Sequence, residues 1–317
     1  MGYKGMSDFA PVIVFTYNRV NHLKRTLDAL NSCEHASETD LFIYCDSYKS
    51  DKDKTMVEMA ISVVDAFALN NRFHSLTITK ADKNKGLAKS IMDGVTSVID
   101  LYGKAIVVED DLIASRYFLR YMNDALDYYK NDKSIWAISG YTFPMKSLET
   151  YPYDLYLSGR GCSWGWATWA DRWNMVDWNV SDYCYFKHNL FKRIKFSQWG
   201  SDLPILLDYQ MNLNANSWAI RWCYSAFSRN MLTVYPKRSY IKNCGIDGSG
   251  VHSQNSTTHR FDTDFDDNEE YRCNFQPLMI DEKIRKEFAK RYSAGVSVDI
   301  KEQIKAFLIR NHLRKKI

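Results

Sequence analysis

The chain lacks several features that would identify a nucleotide-binding or secreted protein at once. Its first strand–helix connection, "FTYNRVNH", contains no glycine. A dinucleotide fold needs G-x-G-x-x-G at that place and a P-loop needs G-x-x-x-x-G-K-[ST], so both are disfavoured. A sugar nucleotidyltransferase would also want a Gly-rich loop there and is counted down for the same reason. Cysteines are odd in number, at seven, with no C-x-x-C pair. That pattern excludes a disulfide framework and a zinc ribbon and fits a reducing compartment. No stretch of the sequence reaches the roughly 20 apolar residues of a membrane span. "PVIVF" is too short for a signal-peptide core, and "MGYKGM" lacks the Ser or Thr that myristoylation needs at the sixth position. A net charge of +4 is too small to argue for nucleic acid. These absences predict a cytoplasmic protein with no nucleic-acid partner.

What is present is aromatic and strongly patterned. The 317 residues include 16 Phe, 21 Tyr and 9 Trp, enough for a large core and for the flat walls of a sugar site. "APVIVFTYNR" predicts a buried strand over Val12 to Phe15, followed by a helix with Leu23, Leu27 and Leu30 on one face. "DLFIYCDS", "SLTITKAD" and "KAIVVEDD" predict three further strands. The helices between them carry Met59, Ala60, Val63, Val64 and Phe67, then Leu87, Ile91, Val95 and Val98. Ser115 is placed to cap the next helix, which presents Phe118, Tyr121, Met122, Ala125 and Tyr129. Such alternation predicts an α/β fold with a parallel sheet and helices on both faces. Ligands then sit beyond the carboxyl ends of the strands. Thr16 to Arg19, Asp46, Asp82 and the triplet Glu109, Asp110 and Asp111 all fall there. Three adjacent carboxylates repel one another. A solvated turn is one explanation; Mg2+ or Mn2+ holding a diphosphate is the better one, because carboxylate and phosphate oxygens suit those ions.

"TYNR", "CDS", "NKGLAKSI" and "VVEDD", each following its strand in this order, resemble the nucleotide-sugar half of GT-A glycosyltransferases. "AIVVEDDLIASRYFLRYM" is similar to the acidic-motif region of the N-acetylglucosaminyltransferase I family and its bacterial relatives. "SIWAISGYT", "GCSWGWATWADRW", "LLDYQM" and "DGSGVHS" follow in the order that family would show, so the resemblance covers roughly residues 10–255; "TYNR" is shared with many family 2 glycosyltransferases. The resemblance implies a GT-A-like, mostly Rossmann-type sheet with a mixed C-terminal acceptor half. It implies that Asp111 is the direct metal ligand, that Asp110 faces the ribose or a metal-bound water, and that Glu109 faces the donor sugar. Arg19 would approach the diphosphate or base. Asp46 would accept from a uracil N–H, as an acceptor-only carboxylate can. Thr16, Asn18, Lys85, Gly86 and Lys242 are assigned to the same nucleotide-sugar.

The second half is expected to supply acceptor and base. In "GCSWGWATWADRW", Trp166, Trp169 and Trp173 stand at helical spacing. Trp169 and Trp173 are expected in the core, while Trp164 and Trp166 remain open as an acceptor platform. An inverting transfer needs a carboxylate to take the acceptor hydroxyl's proton. Asp208 is the first choice, expected at the start of a helix and matching the family's base-bearing segment; Glu109 is the reserve. "NCGIDGSGVHSQ" reads as a glycine-rich loop able to close over a diphosphate, with His252 as a further metal or phosphate ligand. The tail "DIKEQIKAFLIRNHLRKKI" is a basic amphipathic helix suited either to peripheral contact with the inner face of the plasma membrane or to docking on the protein itself.

The expected organisation is a nucleotide-sugar half over 8–135, an acceptor and catalytic half over 136–270, and a helical tail over 271–317. The expected activity is transfer from a UDP-sugar to a saccharide hydroxyl, the acceptor being lipid-linked in one reading, in surface polysaccharide assembly. The alternatives are a nucleotidyltransferase of the same broad fold and a non-catalytic saccharide-binding or scaffold protein.

Overall fold

The computed structural model describes residues 7–212, 215–245, 261–265, 267 and 270–293. His252 and the basic tail from Asp299 lie outside them. The chain begins β1 (Val12–Thr16), α1 (Val20–Asn31), β2 (Asp40–Cys45), α2 (Asp51–Ala68), β3 (Ser75–Lys80), α3 (Leu87–Tyr102) and β4 (Lys104–Glu109). It continues with β5 (Leu112–Ala114), α4 (Phe118–Tyr129), β6 (Ile135–Ser139), α5 (Lys146–Glu149), β7 (Leu155–Ser158), β8 (Trp166–Trp169) and α6 (Ala170–Trp173). Then come α7 (Tyr183–His188), α8 (Leu190–Phe196), α9 (Asp202–Asn212), α10 (Trp218–Ser228), β9 (Leu232–Pro236), β10 (Ile241–Asn243) and α11 (Glu282–Arg291).

Eight strands form one sheet in the order β3-β2-β1-β4-β8-β6-β9-β7, and β10 pairs with β5 in a separate ribbon. The first four strands are parallel, as the strand–helix alternation predicts. β8 runs antiparallel to both β4 and β6, β9 is parallel to β6, and β7 is antiparallel to β9. Only β7 and β8 therefore oppose the common direction. The result is the α/β architecture expected from the sequence: a mostly parallel sheet flanked by helices, with a mixed second part.

Strand alternation builds two cores, one on each face. Val12 and Val14 of β1, with Ile106 and Val108 of β4, pack toward Leu23 and Leu27 of α1 and Phe118 and Met122 of α4. Ile13, Phe15, Ala105 and Val107 point the other way, toward Ile91 and Val95 of α3. That second face also holds Trp136, Trp166, Trp173, Trp218 and Trp222.

Two expectations about local structure are corrected. Ser115 is not the N-cap of α4, because β5 ends at Ala114 and a turn over 115–117 separates it from the helix, whose cap position is Tyr117. The Ser115 hydroxyl accepts from the Tyr117 N–H at 3.2 Å and donates to Asp267 at 2.5 Å. The tryptophan run is strand before it is helix, so Trp166 takes its orientation from β8 and its ring goes into the core, 1% exposed. Among the described residues no helix is long and apolar enough to cross a membrane.

Candidate active site

The strand order fixes where a ligand fits. From β1 the chain moves outward through β2 and β3, then crosses back to place β4 on the other side of β1. The switch point is therefore the crevice between the carboxyl ends of β1 and β4, the usual ligand position in open α/β sheets. "TYNR" leaves one lip and the acid triplet leaves the other.

Asp110 ties the two lips together. One of its oxygens accepts from the Thr16 hydroxyl at 3.0 Å and from the Tyr17 N–H at 3.1 Å. The Thr26 hydroxyl of α1 donates to its carbonyl at 2.9 Å. Asp111 forms an ion pair with Arg19. Glu109 ends β4 partly exposed, and its carboxylate has no hydrogen-bond partner among the described residues. One guanidinium thus faces three carboxylates. Burial first, then the Asp111 and Asp110 charges, push Glu109 up to about 8, with Arg19 pulling the other way. Burial and Asp111 push Asp110 up to about 6, against the lowering effect of its bonds to Tyr17 and Thr16.

The β10–β5 ribbon delivers the far side of the site. Asn243 lies opposite Leu112, directly after the acids. The Cys244 N–H and thiol both donate to the Asp111 carbonyl, at 2.8 and 3.1 Å. His22 Nε2 lies 3.1 Å from the Cys244 carbonyl. Gly245 comes next, and the chain passes so close that a Cβ there would fall 2.2 Å from Asp111 Oδ2 and 2.6 Å from Arg19 Nη1. A side chain there would have to displace the Asp111 carboxylate and the Arg19 guanidinium from each other. His22 and Thr26 were not anticipated from the sequence; Tyr17 was placed at the ligand edge without a role, and Cys244 and Gly245 only as the start of the glycine-rich stretch "NCGIDGSGVHSQ".

Other anticipated residues take different places. Asp46 is filled by its own chain: Oδ1 accepts from the Ser47 and Lys85 N–H groups at 2.9 and 2.8 Å, and Oδ2 from Asn84 Nδ2 and the Gly86 N–H at 3.2 and 2.9 Å. Two oxygens offer about four lone-pair positions, so none remains for a uracil N–H. Asp46 holds the turn that starts α3, where Gly86 adopts φ +74°. The Lys85 ammonium, half-exposed, lies 3.6 Å from Asp93. Asn18 is partly exposed on the loop after β1. Lys242 points away to pair with Asp264.

Asp208 lies within α9 rather than at its start. Arg193 of α8 donates to both its oxygens, at 2.9 and 2.8 Å, and the Tyr183 hydroxyl adds a third bond at 3.0 Å. A carboxylate so engaged serves as a tie between helices and is a poor proton acceptor. Asp202 is held likewise by Arg160, at 2.8 and 2.9 Å. Trp166 is removed as an acceptor wall by burial. Trp164 lies outside β8, on the bend that precedes it, where Gly165 adopts φ +62°. Its ring meets Tyr141 edge-on at 4.6 Å and is only partly buried.

Among the described residues, no group of three or more His, Cys, Asp or Glu side chains is disposed to hold a metal. A divalent ion that carries a diphosphate does not need one, since one or two carboxylates suffice when phosphate and water supply the remaining oxygens. The hard oxygen donors and the uncompensated charge of the triplet fit such an ion.

No protein-family model matches the chain, and no curated protein matches it at a significant level. Solved structures do. A mannosyltransferase from Pyrobaculum calidifontis, PcManGT, in complex with GDP-Man and Mn2+, is 17% identical over 53% of this chain and 49% of its own, with a TM-score of 0.35. S. aureus TarS, residues 1–349, is 11% identical over 74% of this chain and 59% of its own, with a TM-score of 0.41. A longer structure of S. aureus TarS is 17% identical over 38% of this chain and 19% of its own, with a TM-score of 0.30. The chain thus covers less than two thirds of each of these neighbours.

Proposed function

We propose that the chain is a metal-dependent glycosyltransferase that moves a sugar from a nucleotide-sugar, a UDP-sugar by motif resemblance, to a saccharide hydroxyl. The supporting observation is the pair of lips at the β1–β4 crevice, where three carboxylates share a single guanidinium beside a glycine-covered backbone. Asp111 would hold Mn2+ or Mg2+, and Arg19, released from Asp111, would turn to the diphosphate. The ion, when bound, supplies charge neutralisation to the departing diphosphate. Asp110 positions: its bonds to Thr16 and Tyr17 fix the distance between the lips.

Glu109 replaces Asp208 as the base in this reading. Its carboxylate is unengaged and faces the crevice, whereas Asp208 is occupied by Arg193. In a direct displacement the acceptor oxygen bonds to the anomeric carbon, the carbon–oxygen bond to the diphosphate breaks, and the hydroxyl proton passes to Glu109. The anomeric configuration inverts. Trp164 lines the acceptor side, and Asn18 and the Lys85–Gly86 turn border the nucleotide side.

Calorimetric titration of UDP, GDP and other nucleotides tests this, with and without Mn2+, on wild type and Asp111→Asn. The expected result is Mn2+-dependent binding of one nucleotide, weakened by about a hundredfold or more in the variant. Binding indifferent to Mn2+ and to Asp111, or binding of no nucleotide at all, sinks the reading.

A further inference from the structure

Away from the crevice, the stretch from Tyr183 to Ser201 contains Lys187, His188, Lys192, Arg193 and Lys195 and no acidic residue. It folds as α7 and α8, whose buried side chains are Tyr183, Phe186, Arg193 and Phe196. The opposite face is apolar where it meets solvent: Phe191 is 87% exposed, Tyr185 60% and Ile194 50%. Phe191 is the most exposed large hydrophobic side chain among the described residues. Phe191 and Ile194 are three apart on α8 and share a face. Tyr185 and Phe191 also line one shallow groove of about 550 Å3.

The charge around this patch is predominantly positive, with Asp182 an acid at its edge. Arg193 is consumed by Asp208, and Lys192 lies over the Tyr185 ring at 4.7 Å while reaching Asp182 at 3.8 Å. Among the described residues Lys195 bonds a neutral partner, Asn230, at 3.0 Å, and Lys187 lies 5.9 Å over the Tyr183 ring. Apolar side chains at the centre with ammonium groups at the margin match a surface that is apolar within and anionic without.

We infer that the α7–α8 face is a peripheral docking surface for an anionic lipid bilayer. Phe191, Ile194 and the Tyr185 ring enter the boundary between headgroups and acyl chains, and Lys187, Lys192 and Lys195 meet lipid phosphates. A second copy of the chain does not complement this face, since a two-fold contact would set its lysines against themselves. The inference is independent of the catalytic reading.

The full chain is sedimented with vesicles of phosphatidylcholine alone and of phosphatidylcholine mixed with phosphatidylglycerol. Two double variants are compared with wild type, Phe191→Ser with Ile194→Ser and Lys192→Glu with Lys195→Glu. A third, Arg314→Gln with Lys315→Gln and Lys316→Gln, discharges the C-terminal end. Wild type is expected to bind only the mixed vesicles, less so in high salt, with affinity lowered about tenfold or more by either α8 variant. Unchanged circular dichroism and urea midpoints show that these exposed substitutions leave the fold intact. Failure of wild type to bind the mixed vesicles overturns the inference. So does binding lost only in the C-terminal variant, or self-association that the Phe191→Ser variant abolishes while vesicle binding stays the same.

Discussion

Two regions of the molecule, helix α9 and the β1–β4 crevice, treat their carboxylates in opposite ways. On α9 each of two partly buried acids has its own guanidinium: Asp208 is clasped by Arg193 and Asp202 by Arg160, two parallel bonds each. At the crevice Glu109, Asp110 and Asp111 share, among the described residues, the guanidinium of Arg19. The first arrangement is closed, with every oxygen and every charge assigned within the protein. The second is open, and its excess negative charge is tolerable only beside a proton or a cation. Similar side chains thus have different destinies, decided by what surrounds them.

That contrast can be broken most severely at Glu109 and Asp208. Glu109→Gln is expected to lower turnover about a thousandfold while leaving the urea midpoint equal or higher, since a repelling charge is gone. Asp208→Asn should do the reverse. Removing one partner of a mostly buried pair costs on the order of 3 kcal/mol in unfolding free energy, with nucleotide affinity preserved. If Asp208→Asn instead abolishes turnover without destabilising the fold, Asp208 is restored as the base.

A second experiment sharpens the comparison through pH. Glu109 and Asp110 titrate higher in the folded chain, at about 8 and about 6, than unfolded carboxyls at roughly 4. Between those limits the native state binds more protons than the unfolded one. Their contribution is therefore complete below about pH 4 and is lost as pH rises through about 6 and then about 8. In EDTA the urea midpoint should fall from pH 5 to pH 8.5, and should fall less in Glu109→Gln. Saturating Mn2+ should flatten the fall in wild type, because the ion favours the ionised acids. A fall identical in wild type and variant would show that other groups set the slope.

The smallest expected effect comes from Gly245→Ala. Its Cβ would collide with Asp111 Oδ2 and Arg19 Nη1, which are side-chain ends able to shift. The expected result is about a tenfold loss in Mn2+-dependent nucleotide affinity with little change in stability. A silent substitution would mean that the chain at Cys244–Gly245 moves off the acids when ligand arrives.

How far the sequence could be read depended on whether a signal was local. β1 to β4 declared themselves through apolar runs, and the acids followed because a strand's end marks the sheet's ligand edge. Asp46 was located correctly, but its role depends on the Asn84–Gly86 turn, 38 to 40 positions away. Nothing in "CDS" shows that its oxygens are already filled. Trp166, Trp169 and Trp173 fit a helical spacing that a four-residue strand followed by one helical turn also satisfies. The engagement of Asp208 was hidden for a related reason: its partner Arg193 lies on a different helix, and pairing across helices leaves no periodicity. Gly245 was legible only as one glycine among several. The need for it arises from the pairing of β10 with β5, which joins segments about 130 residues apart.

The tryptophan layer behind the sheet has an optical consequence. Trp166 and Trp222 lie 5.3 Å apart, Trp136 and Trp222 4.5 Å, and Trp166 and Trp218 5.2 Å, all five indoles of the layer being buried. Transition dipoles at such separations couple, and excitation migrates among the rings before it is emitted. The protein's near-ultraviolet ellipticity and blue-shifted fluorescence should therefore report the packing of the α3–α10 side of the sheet. Trp164 stands outside this layer, against Tyr141. Under the proposed function it lines the acceptor side, so its emission is expected to change when an acceptor binds, and the same spectrum would then carry separate records of folding and of occupancy.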